Sequence, residues 1–182
     1  MTPELARVIA LATRRGASVR VVDGATWDRL GGHQGWHEAP FSHMDLAIDE
    51  RDRVVYLLAK YAGDKEVAGA VIHELGHLHA TRRERVRNAH EYSWMAWEIA
   101  VAREARARRT WDLAMKDYGL GAQPAGLEHL DGSEWGDITQ GERRVIIADR
   151  MKAARKRGIV DARGRAVWQR LPRKHLVMGN SV

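Results

Sequence analysis

Residues 71–80, VIHELGHLHA, set three histidines and a glutamate into an otherwise apolar run. Val67, Ala70, Val71, Leu75 and Leu78 recur at helical spacing, with Asp64 placed to cap the start. This predicts a helix from about residue 65 to about residue 81 whose apolar sides are covered by the rest of the chain. An imidazole or carboxylate inside a core is costly without a partner, so any fold built around this helix must bring partners to it. His73 and His77 lie one turn apart, where both rings reach a common point, and Glu74 projects beside that point. Hydrolytic metal sites use this arrangement: two imidazoles hold the ion and an adjacent carboxylate takes a proton from water. The spacing is His-Glu-x-x-His. His79 falls on roughly the opposite face and reads as a surface or outer histidine. Gly76 predicts close approach of another element.

The chain contains no Cys. Disulfides, thiolate catalysis and Cys-ligated zinc are thereby excluded, and a metal would have to be held by His, Asp or Glu. The next helical pattern offers two such residues, Glu91 and Glu98, with Trp94, Trp97 and Val101 on or beside the same face. They stand roughly 10.5 Å apart along a helix axis, so one ion does not readily take both. His33 and His37 in HQGWH also have helical spacing, but Gly31, Gly32 and Gly35 argue against a helix and favour a loop packed over the cleft. The Trp residues of the second helix read as core.

Around these motifs the pattern predicts a first helix in TPELARVIALATRRG, capped by Thr2 and ended by Gly16, then a short strand in ASVRVVDG. Residues 25–42 read as a loop, and MDLAIDE and RVVYLLAK as two strands or a hairpin. The Trp/Glu helix is expected to run from about His90 to a stop at Gly119. A third helix, TQGERRVIIADRMKAARKRG, carries Val145, Ile146, Ala148, Asp149 and Met151 near its apolar side, and IVDARGRAVWQR suggests a small hairpin. The fold class expected is α+β: a small, mainly antiparallel sheet packed on the His-Glu-x-x-His helix and the long Trp/Glu helix. At 182 residues this makes a single domain, 1–182, with a basic C-terminal helix and tail from about residue 138.

His73, Glu74 and His77 followed by a Glu on the next helix resembles the gluzincins, the thermolysin-like zincin metallopeptidases. There the third ligand commonly follows the second His at an interval like that spanned by residues 78–97, which selects Glu98. Glu91 stands as the alternative, or as an acceptor that orients a ligand histidine. The chain is more closely similar to small phage-encoded metallopeptidases near the ImmA/IrrE type, in which an HE-x-GH helix precedes a Trp/Glu-rich helix and a spaced Trp and Tyr. Glu91, Trp94, Trp97, Glu98, Ala102, Arg103, Trp111 and Tyr118 carry that likeness, which covers roughly residues 45–120. The Ala-Asn pair usual after the ligand Glu is absent here.

The resemblance implies a zincin-like minimal metallopeptidase, a zinc-dependent endopeptidase acting on a protein or peptide substrate. One Zn2+ held by His73, His77 and Glu98 would activate water, with Glu74 as general base and proton donor to the leaving amine. Tyr118, His129 and His90 are candidates for an added oxyanion donor, and either MDLAIDE or RVVYLLAK for an edge strand that binds extended peptide. A second reading comes from charge. Residues 142–175 hold twelve Lys or Arg against three Asp or Glu, a region suited to nucleic acid or an acidic partner. The alternative function is therefore a DNA-associated regulatory protein with a structural metal site and a basic C-terminal binding tail. No segment approaches the ~20 apolar residues of a membrane span, and no signal peptide is evident, so a cytoplasmic location is expected, the host cytoplasm if the chain is phage-encoded.

Overall fold

The computed structural model describes residues 1–30, 36–38, 46–49, 54–79, 92–107, 126–127, 129 and 138–168. Helix α1 (Pro3–Arg14) begins where the Thr2 hydroxyl accepts from the Leu5 amide at 3.1 Å. It buries Leu5, Val8, Leu11 and Ala12 along one stripe. Gly16 ends it at φ 81°, with the Ala17 amide donating back to the Ala12 carbonyl and the Gly16 amide to Thr13. Strand β1 (Ser18–Val22) follows.

Part of the stretch read as a loop is ordered otherwise. Helix α2 (Gly24–Leu30) occupies its start, because the Asp23 carboxylate accepts from the Thr26 amide at 2.7 Å. Asp23 of the Asp-Gly pair after β1 is thus a helix cap. Strand β2 (Trp36–Glu38) takes up three residues of HQGWHE, so His37 lies in a strand; His33 lies outside the described residues.

Strands β3 (Leu46–Asp49) and β4 (Val54–Leu58) complete a four-stranded sheet in the order β1-β4-β3-β2. β3 pairs antiparallel with β4 and with β2, but β1 pairs parallel with β4, from Ser18↔Val54 to Val22↔Leu58. The sheet is mixed, and the architecture is α+β. Both strands expected to offer an edge to a peptide, β3 and β4, lie inside the sheet; the edge strands among the described residues are β1 and β2. In β4, Val55 and Leu57 enter the main core. Val54 and Tyr56, on the opposite face, are buried too, with the Arg20 guanidinium 6.0 Å from the Tyr56 ring centre.

Helix α3 (Val67–His79) carries the motif and packs against α1, β3, β4 and the next helix, α4 (Tyr92–Glu104). Enclosure on all these sides explains why every described side chain from Val67 to Leu78 is buried except that of His77. α4 is shorter than its sequence suggested. It ends at Glu104 because Arg106 takes a left-handed conformation, φ 54°, with the Ala107 amide on the Ala102 carbonyl and the Arg106 amide on Arg103. Arg7 of α1 donates from Nε and Nη2 to the carbonyls of Ala105 and Arg106, at 3.0 and 3.1 Å. Backbone acceptors left over at the helix end are thereby satisfied, and a glycine is not needed to stop it.

Helix α5 (Gln140–Lys156) packs on α4 and starts from a reciprocal cap between Thr139 and Glu142. It buries Ile146, Arg150, Met151 and Ala154, while Val145 and Ala148, expected on the apolar side, are exposed. Gly158 ends it at φ 73°. A tight turn follows, closed by an antiparallel bridge between Val160 and Ala166. Trp97 of α4 donates to the Val167 carbonyl at 3.1 Å, and its ring lies 5.0 Å from that of Trp168. No helix among the described residues is long and apolar enough to cross a membrane.

Candidate metal centre

The site is assembled in the layer between α3 and α4. One helical turn brings His73 Nε2 and His77 Nε2 to 3.0 Å from each other, with the rings nearly perpendicular at 82° and their centres 4.7 Å apart. Glu74 joins them: the three side chains offer ligand atoms within 4.8 Å of one another, the one such His/Cys/Asp/Glu group among the described residues. Across the interface, Glu98 Oε1 lies 3.0 Å from His73 Nδ1. A carboxylate accepts, so this contact assigns the proton of a neutral His73 ring to Nδ1 and leaves Nε2 with its lone pair towards His77.

Burial is deep and uneven. His73, Glu74 and Glu98 are 2 %, 1 % and 1 % exposed, whereas His77 is half-buried. The side of the pair that reaches solvent is therefore the His77 side. Val71, Ile72, Leu75 and Trp97 are buried around the site. Across the interface, Trp97 and Glu98 are the groups a Cβ at Gly76 would meet.

This donor set fits a divalent cation. Two nitrogens bound to one zinc at ~2.0–2.1 Å in a tetrahedron stand about 3.3 Å apart, close to the spacing of the two Nε2 atoms. Charge points the same way. The buried polar side chains among the described residues are His73, Glu74, Glu98 and Arg150, and Arg150 Nη1 reaches Asp149 at 2.9 Å on α5. Glu74 and Glu98 place two carboxylates beside the two imidazoles, a set of donors of the kind that divalent ions take.

The other expected site residues divide into three groups. Glu98 reaches the site, by the Nδ1 side of His73. His129 does not join the cluster; its ring contacts the Glu142 carboxylate at 3.1 Å and is 60 % exposed, at the start of α5. Glu91, His90 and Tyr118, and the side chain of His79, lie outside the described residues. Sequence spacing had suggested a Glu near His73 but carried no sign of which ring nitrogen it meets, since that depends on the rotation of α4 against α3. Nor did it show that Trp97, beside Glu98, is fixed by the distant Val167 carbonyl. Compared with protein-family models, curated proteins and solved structures, the chain has no significant match.

Proposed function

We propose that the chain is a zinc-dependent peptidase of the gluzincin type, a minimal zincin-like enzyme near the ImmA/IrrE group that hydrolyses peptide bonds in a protein or peptide substrate. The supporting observation is the convergence of the two Nε2 atoms, 3.0 Å apart, with the Glu74 carboxylate in the same cluster. His73 and His77 would hold the ion, with Glu98 in contact with His73. When bound, zinc would supply Lewis acidity for the scissile carbonyl and for the attacking water. Glu74 takes the proton of that water and returns it to the departing amine. The buried walls limit competing solvent, and substrate approaches from the half-buried His77 side.

Cleavage of a proteome-derived peptide library by the zinc-loaded chain, read as new termini by mass spectrometry, tests this. Glu74→Gln should bind zinc as wild type does and lose at least about 100-fold in cleavage rate. Zinc-loaded wild type that cleaves nothing, or a Glu74→Gln variant that cleaves equally well, would refute the proposal.

A second reading has its own observation. Arg144, Lys152, Arg155, Lys156, Arg157 and Arg163 are exposed on α5 and the turn after it. They suit a nucleic-acid or acidic partner of a regulatory protein with a structural metal. Glu74 weighs against that as the whole function, because a purely structural site has no use for a buried carboxylate beside its ligands.

A further inference from the structure

We propose that the solvent face of α5 binds the phosphate backbone of duplex nucleic acid, without regard to sequence, through Arg144, Lys152, Arg155 and Lys156, with Arg163 beside them. The inference deepens the charge-based reading above and rests on it, not on the metal site. At ~100° per residue these four helix cations fall on an arc of about 120°, shared only with Gly141, Val145 and Ala148. Every residue of the arc is exposed, and none is acidic. The three that carry no charge are small or apolar, so a polyanion can lie close along the face. The carboxylates of α5 and its turn are engaged elsewhere: Asp149 with Arg150, Glu142 with Thr139 and His129, and Asp161 with Arg165 Nε and the amides of Arg163 and Arg165. Arg155 Nη2 stands 3.6 Å from where a Cβ at Gly164 would lie, so its guanidinium rests against the turn that carries exposed Arg163. The row of charge thus continues from the helix onto the turn.

Helix stability does not account for the row. Arg155 and Lys156, in the last turn, complement the helix dipole. Arg144 lies near the opposite end, where a cation gains nothing from it, and Lys152 precedes the last turn. From Arg144 to Lys156 the helix rises ~18 Å, and a duplex presents about ten phosphate charges over that length. α5 is held to the core by Ile146, Met151 and Ala154, so its cations stand on a backbone that is already ordered before a ligand docks. The arc holds no aromatic ring on which an unpaired base could stack, which selects a duplex over a single strand. A regular, rigid row of charge also suits a regular, rigid polyanion better than an acidic peptide, whose backbone must be ordered on docking.

Fluorescence anisotropy of labelled DNA and RNA duplexes, titrated with the full chain between about 50 and 200 mM salt, tests this. Two triple variants lose the same charge: Arg144→Gln/Lys152→Gln/Lys156→Gln on the face, and Arg14→Gln/Arg29→Gln/Lys65→Gln elsewhere. All six positions are exposed and glutamine is a good helix former, and thermal melting checks that both variants stay folded. Wild type should bind duplex with log K falling against log salt at a slope of about −3 to −4, as four phosphate contacts give. The tighter of the two duplexes identifies the source of the backbone. The face variant should bind at least about 10-fold more weakly at the lowest salt, with a slope shallower by about 2–3, while the other triple stays within about 1 of the wild-type slope. Equal losses in the two triples would overturn the face and leave only a generally basic chain. No binding by wild type at about 50 mM salt would overturn the face and the charge-based reading together. Polyglutamate, or a single strand, that binds as tightly as the duplexes would overturn the choice of partner. The titrations need no zinc, so their outcome is separate from that of the peptidase reading.

Discussion

Replacing Gly76 with alanine should stabilise the chain by about 1 kcal/mol while leaving zinc uptake unchanged. The sequence suggests the reverse, a glycine kept small so that another element can come close. In the structure a Cβ at position 76 meets Trp97 Cε3 and Cζ3 at 3.8 Å and Glu98 Oε1 at 3.9 Å, and nothing nearer. Those are ordinary van der Waals separations, so neither helix has to move. Alanine in a helix interior is favoured over glycine by ~0.8–1.0 kcal/mol, chiefly through the unfolded chain. A fully buried methyl would add up to ~0.8 kcal/mol, part of which is offset by the carboxylate beside it. Urea unfolding of the metal-free protein reads the change directly, and the melting temperature should rise by about 2–4 °C for a chain of this size. Gly76→Val, with branches directed at the Trp97 ring, should instead cost about 1–3 kcal/mol through overpacking. A Gly76→Ala variant that loses more than about 1 kcal/mol, on the scale of an overpacked core, would show that α3 and α4 lie closer than described and refute the reasoning.

Two further outcomes follow from the helix ends. Arg106 is exposed and left-handed at φ 54°, so Arg106→Gly should stabilise by roughly 0.5–1 kcal/mol in the same urea assay, and a helix that runs on through residue 106 would give destabilisation instead. The Thr139 hydroxyl, first, then its amide and His129, hold the Glu142 carboxyl below the usual carboxylate range, and backbone amides of Arg165 and Thr26 do the same for Asp161 and Asp23. A depressed folded value means stability that is present above about pH 4 and is lost as pH falls through the folded values. Thr139→Ala should cost about 1 kcal/mol at neutral pH through the lost cap and flatten the acid-side decline between about pH 5 and pH 2. An unchanged acid slope in that variant would refute the link to Glu142.

The parts of the fold set by local chemistry could be read directly. Thr2 and Gly16 bound α1, and the period of Val67, Val71, Leu75 and Leu78 places His73 and His77 on one face of a helix that is indeed buried. Partnerships fixed only by long-range packing could not. The parallel pairing of β1 with β4 joins residues 18–22 to residues 54–58, and no turn signal records it. The end of α4 escaped notice because Arg106, not a glycine, takes the left-handed position, supported by Arg7 from nearly a hundred residues earlier. α2 was hidden because Asp-Gly serves equally as a turn and as a cap. At the site itself, the resemblance to gluzincins pointed to Glu98, with Glu91 as the alternative, while the His73 nitrogen that Glu98 meets depended on how two helices roll against each other.

That dependence ties the site to the C-terminal segment. Trp97 and Glu98 are consecutive, and both face Gly76 of α3, within 3.9 Å of where a Cβ there would stand. Glu98 turns to His73, while Trp97 Nε1 bonds the Val167 carbonyl and its ring tilts against Trp168. Ile159, Val160 and Ala166 are buried in the same core. The stretch after α5 is thus part of the frame that fixes the rotation of α4, and through α4 the orientation of His73. Its charged side chains can face solvent or a partner while Ile159, Val160 and Ala166 stay in the core and Trp168 packs against it. An ion held between these packed helices would owe its geometry to the same contacts that stabilise the fold, so ion binding and folding would be coupled.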